Sequence, residues 1–351
     1  MSNSTKTPKP APVVTSSGRR PYRILSFDGG GIRGLIPAIW LSRLERELGG
    51  PIADHVDLVA GTSTGAILAA AVGLRIPMSE VVDLYRKRGR EIFPGGAKRL
   101  WSRVSRLIGE GVSQPKYDAK GLSRALRETL RTAELEEPTF GYLSDSTGIK
   151  VMITSYDTIS RTAFVMKSWD GRYNQLKLWE VVKASASAPT YFPAHVLEIN
   201  GVERALIDGG VVANNPAVAA VATAVRVLGG VHEGIGGRDI VLGSFGTGEL
   251  AREISKEDAL EWGPLEWAIP VIDVLFDGSA DAADYFLDTV MPSNRYFRFQ
   301  TPLKVGYDDM DNPDQTNLNG LAAMAEFFLD TKVNGVTGAQ RIEELANALK
   351  A

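Results

Sequence analysis

Two short apolar runs each end in a cluster of glycines and hydroxyl residues and pass at once into a helical pattern. This repeated strand–turn–helix junction leaves few architectures open. The first run, YRILSF at 22–27, leads into Asp28-Gly29-Gly30-Gly31 and a helical pattern from about Gly34 to Leu48, closed by Gly49-Gly50. The second, VDLVAG at 56–61, leads into Thr62-Ser63-Thr64-Gly65 and an Ala-rich helix. A further helix capped by Ser79 runs to about Arg90. IKVMITS (149–155) and TAFVMK (162–167) form a strand pair, and LWEVVKASASA (178–188) is a helix stopped by Pro189. ALID (205–208) and DIVLGSF (239–245) are buried strands on either side of a helical stretch near 216–227. Beyond them come an irregular Trp- and Asp-rich stretch at 257–290, a strand near 296–300, and helices near 319–333 and 338–349. Strands alternating with helices predict an α/β fold around a mostly parallel sheet.

Composition narrows the function classes. The 39 Lys and Arg against 42 Asp and Glu give a formal net charge of -3, without the basic excess of a nucleic-acid binder. With no cysteine among the 351 residues, disulfides and thiolate metal sites are excluded, and a cytoplasmic address fits. Residues 1–20 are rich in Ser, Thr, Lys and Pro and contain no apolar run. They predict a disordered tail with no signal peptide or membrane span, followed by one domain over 21–351. Asp308, Asp309, Asp311 and Asp314 lack the spacing of a calcium loop, and no metal or cofactor is expected.

Gly61-Thr62-Ser63-Thr64-Gly65 matches G-x-S-x-G, the nucleophile elbow. There a serine is held exposed on a sharp strand-to-helix turn, and small neighbours permit the tight backbone. A serine hydroxyl needs a base. Of the three histidines, His55 begins the strand that ends at Ser63 and so lies about 20 Å or more away by strand rise. His195 follows Tyr191-Phe192-Pro193 and is the kind of histidine that packs or faces solvent. His232 completes the order Ser63, Asp208, His232 of an α/β-hydrolase triad, but precedes a strand in a Gly-rich loop. The other candidate base is Asp208, at the end of a strand before Gly209-Gly210; in a site that excludes water a carboxylate suffices as proton acceptor. Asp28-Gly29-Gly30-Gly31-Ile32-Arg33-Gly34 lets several amides converge on an anion. It also satisfies G-x-G-x-x-G, with Asp54 and Asp57 near the spacing of a ribose ligand. Against a dinucleotide stands Asp28, whose carboxylate would repel a pyrophosphate.

Together, D-G-G-G-I-R-G, G-T-S-T-G and D-G-G in this order resemble the three signature blocks of patatin-like phospholipases. The surrounding DLVAGTSTGAILA, KASASAPTYFPAH and LIDGGVVANNPA are also similar to that family, and the likeness spans residues 22–250. The resemblance implies a three-layer α/β/α fold with a helical C-terminal extension. It implies a Ser63–Asp208 dyad without histidine or metal, and an oxyanion hole from Gly29, Gly30 and Gly31 with Arg33 nearby. The expected activity is hydrolysis of fatty-acyl esters of phospholipids. Lys98–Ile108 (KRLWSRVSRLI) reads as a basic amphipathic helix carrying Trp101 and Leu107, suited to peripheral contact with the inner face of an anionic membrane. The compact layout with a polar tail is also similar to bacterial patatins that act as anti-phage effectors switched on by a cyclic dinucleotide. Oligomeric state is not fixed by these features.

Overall fold

The computed structural model describes residues 20–93, 115–227, 239–249, 253–268, 270–304, 306–307, 309–333 and 335–351, the side chain of residue 265 excepted. The tail at 1–19, the Lys98–Ile108 segment and His232 lie outside the described residues. Eight strands build one sheet: β1 (Tyr22–Phe27), β2 (Leu58–Thr62), β3 (Lys150–Asp157), β4 (Thr162–Lys167), β5 (His195–Ile199), β6 (Val202–Asp208), β7 (Ile240–Phe245) and β8 (Tyr296–Phe299). The order is β5-β6-β3-β2-β1-β7-β8, with β4 also on β3. Strands β3, β2, β1, β7 and β8 run parallel; β4, β5 and β6 supply the antiparallel pairings. The expected mostly parallel α/β sheet is what forms.

Side chains alternate across a strand, and here both faces are apolar. Ile24, Leu58, Ala60, Met152, Ile240 and Leu242 face helices α6 (Ala217–Val227) and α7 (Pro270–Val290). Their neighbours Leu25, Val59, Val151 and Val241 face the opposite way. That second layer contains α1 (Leu35–Leu48), α2 (Thr64–Gly73), α3 (Met78–Ile92), α4 (Lys120–Thr129) and α5 (Leu178–Ser185). Continuous apolar strands covered on both sides are the mark of a parallel sheet between helices. Every residue of α2 is buried, so this all-apolar helix lies at the centre rather than at the surface. The C-terminal helices α8 (Gln315–Asp330) and α9 (Gly338–Lys350) pack on α1, where Trp40 Nε1 donates to Ala325 O at 2.9 Å.

Two expectations need correction. Residues 257–290 are not irregular, because α7 occupies their last 21 residues with Ile272, Phe276, Ala280, Ala283 and Leu287 buried at helical spacing. Strand β5, unanticipated, hydrogen-bonds to β6 as an edge hairpin. Among the described residues no helix is long and apolar enough to cross a membrane.

Candidate active site

Ser63 stands between the end of β2 and the first turn of α2, with φ 56 and ψ -121. That conformation is strained for a residue with a Cβ, costing about 1–3 kcal/mol, and persists only where the surroundings over-determine it. Here they do. The Ser63 amide donates to Ser185 Oγ at 2.8 Å, and Ser185 Oγ donates to Thr154 O at 2.6 Å. The Ser63 carbonyl accepts from the Ala66 amide at 2.9 Å. The elbow glycines are required by close approach. A Cβ on Gly61 would stand 2.1 Å from Gly65 O, and one on Gly65 2.1 Å from Phe27 O.

Strand β3 brings Asp208 to the elbow. Its one edge is taken by β4 along residues 152–157, and its other edge pairs with β2 through Thr154 and then with β6 from Ser155 onward. Thr62 is therefore opposite Thr154, and Asp208 is opposite the next residue, Ser155. Asp208 is fully buried. Its Oδ1 accepts from the Gly210 amide at 2.8 Å, while Oδ2 has no donor among the described residues. Burial pushes its carboxyl up to about 7, with the Ser63 side chain the first group to pull it back and the Gly210 amide the second. The serine thus acts on the carboxylate at short range although Oδ2 is not in a closed hydrogen bond. Such pairs commonly tighten only around a substrate.

The glycine-rich turn differs in one respect from the expectation. The Gly29 amide is already engaged, donating to Asn214 O at 3.1 Å, so Gly29 does not offer its N–H to an anion. The next two peptides are pinned by their carbonyls. Thr247 Oγ1 donates to Gly29 O at 2.7 Å, and Arg33 Nε to Gly30 O at 3.3 Å. In a trans peptide the N–H points opposite the C=O, which fixes the Gly30 and Gly31 amides away from Thr247 and Arg33. Positive φ at Gly30 (154) and Gly31 (59) makes both positions glycine-specific. Arg33, buried with Nη1 unpartnered, therefore positions this turn rather than supplying a surface charge. Asp28 is also buried, and Arg298 Nη2 donates to its Oδ2 at 2.7 Å. The Asp28 charge that weighs against a pyrophosphate is thus offset only in part by Arg298, which engages one of its two oxygens and which the sequence reading did not identify. The only signal of that arginine was a lone cation within the apolar strand YFRF.

An apolar cavity, partly open to solvent, has Ser63 in its wall and is otherwise formed by side chains including Ile67, Phe93, Leu122, Phe192 and Phe276. Among the described residues no histidine lines it. His195 packs on Trp179 with ring centroids 6.2 Å apart, and burial followed by the Lys183 charge holds its imidazole down at about 4. His55 belongs to the turn before β2, among Arg23, Asp54 and Lys350. His232, Trp101 and Leu107 lie outside the described residues.

Known proteins share this chain's sequence over long stretches. The sequence model of the patatin-like phospholipase family matches residues 25–221, which include all three blocks. Patatin-like protein 2 of Oryza sativa subsp. indica is 31% identical over 377 residues, covering 95% of this chain and 88% of its own. Patatin-like protein 2 of Arabidopsis thaliana is 31% identical over 348 residues, with 86% and 81% covered. Patatin group J-1 of Solanum tuberosum is 28% identical over 347 residues, with 89% and 84% covered. The chain belongs to the patatin-like phospholipase family and is a carboxylic-ester hydrolase acting on lipid acyl groups.

Proposed function

We propose that Ser63 and Asp208 act as a two-residue dyad that hydrolyses fatty-acyl esters of phospholipids through an acyl-serine intermediate. Asp208 takes the proton of Ser63 Oγ as the oxygen attacks the ester carbonyl. The amides of Gly30 and Gly31 receive the resulting oxyanion. Collapse breaks the ester C–O bond, and Asp208 returns its proton to the departing lysophospholipid alkoxide. Water then attacks the acyl-serine, again with Asp208 as base, and releases the fatty acid. The apolar cavity holds the acyl chain. One observation carries the reading: the β3 register that sets Asp208 beside the strained serine, in an environment that raises the carboxyl to about 7. A base of that strength suits a reaction near neutral pH.

Two finer parts of the proposal rest on the sequence. Peripheral binding to the inner face of an anionic membrane rests on the basic apolar segment with Trp101 and Leu107. Activation by a cyclic dinucleotide rests on the resemblance alone. The core of the proposal is tested with a fluorophosphonate probe: one adduct, absent from Ser63→Ala, is expected, and a folded wild-type protein that takes no label overturns it.

A further inference from the structure

Beside the glycine-rich turn lies a second cavity, also partly open to solvent, whose walls include Asp28, Glu249, Asp277 and Asp281. Among the described residues neither a lysine nor an arginine lines it. Two oxygen acceptors in its wall are buried without a donor among the described residues: Asp28 Oδ1, on a residue 1% exposed, and Asn214 Oδ1, on one 4% exposed. Arg298 reaches only the other oxygen of Asp28. The charge of Arg33 acts on Asp277 but its side chain does not line the cavity. Burial, offset mainly by Arg298, puts Asp28 at about 6, and burial, offset by Arg33, does the same to Asp277. Both carboxylates are thus short of positive charge.

We propose that this cavity seats the primary ammonium of a phospholipid head group of the ethanolamine type, an inference that rests on the proposed lipid hydrolysis at Ser63. Unpaired acceptors in an acidic wall call for a cation that donates hydrogen bonds, and an ammonium group carries three N–H donors. A metal ion fits less well, because among the described residues no three carboxylates or histidines are disposed to hold one. A quaternary ammonium is recognised by aromatic faces, and among the described residues no aromatic side chain lines this cavity. The two cavities share a partition. Asn214 Oδ1 and Ser63 Cβ lie 2.2 and 3.1 Å from the point where a Gly29 Cβ would stand. On α7, Phe276 faces the apolar cavity and the next residue, Asp277, the acidic one. Ser63 and the acidic cavity thus stand on the two sides of the Gly29–Asn214 contact.

The test uses the full chain carrying Ser63→Ala, titrated by NMR with glycerophosphoethanolamine, glycerophosphocholine, glycerophosphoglycerol and, separately, calcium chloride. The ethanolamine ester should bind about tenfold tighter than the other two esters, the scale of one charge-assisted contact. That preference should fall about tenfold when Asp281→Asn or Glu249→Gln, both at exposed positions, is added. Equal binding of the three esters, no binding, or binding of calcium without ammonium preference overturns the proposal. Because the titration needs no turnover, the lipid-hydrolase reading fails separately, when the wild-type chain leaves a neutral fluorogenic ester untouched.

Discussion

Asp208→Asn should make the protein more stable while removing its activity, and the gain should depend on pH. A carboxyl pushed from its ordinary 3.8 to about 7 binds protons more tightly in the folded chain than in the unfolded one. Such a group favours folding most below pH 4, and that contribution is lost as pH rises through about 7. Each tenfold in proton affinity is 1.36 kcal/mol, so at pH 8 the ionised Asp208 costs the fold up to about 4 kcal/mol. At pH 5 the same arithmetic leaves about 2 kcal/mol. Asparagine carries no charge at either pH and keeps an oxygen for the Gly210 amide, which now donates to Asp208 Oδ1 at 2.8 Å. Urea unfolding of wild type and variant at pH 5 and pH 8 reads the difference directly. A variant less stable than wild type at pH 8, or an advantage equal at both pH values, would refute the assignment of the raised carboxyl to Asp208. Loss of ester turnover by orders of magnitude, alongside the gain, is the trade expected of a group kept for chemistry rather than for the fold.

The remaining predictions follow from the same site. The kcat/KM for a neutral short-chain ester should rise with pH and level off above about 7, since only ionised Asp208 accepts the Ser63 proton; a flat profile from pH 5 to 9 excludes that role. Replacing Trp101 and Leu107 by Ser should weaken cosedimentation with anionic vesicles while sparing short-ester turnover, and unchanged cosedimentation removes the proposed membrane segment. A panel of cyclic dinucleotides should contain one that accelerates ester release, and none doing so removes that mode of control.

Much of the site was legible because its glycines are sterically forced. Gly61 and Gly65 leave no room for a Cβ between β2, α2 and the end of β1, and a Cβ on Gly210 would stand 2.6 Å from the Phe276 ring. Sequence blocks built on such contacts carry their geometry locally. The meeting of Ser63 and Asp208 is different, because it depends on β3 giving one edge to two strands in succession, and nothing in KVMITSYD states those partners. The Gly29 amide is removed from the donor set by Asn214, 185 positions along the chain. Arg298 reaches Asp28 across 270 positions. Helix α7 was legible in principle: its buried positions keep helical spacing, but Gly278, Ser279 and the recurring aspartates resemble loop composition. Here periodicity was the better guide than composition.

Whether a serine and an aspartate suffice is tested most directly in a chain without any imidazole. With His55, His195 and His232 all replaced, fluorophosphonate labelling followed by peptide mass spectrometry should still place one adduct on Ser63, at a rate within a few-fold of wild type. A folded histidine-free protein that no longer reacts, or that carries its adduct on another residue, would contradict the account.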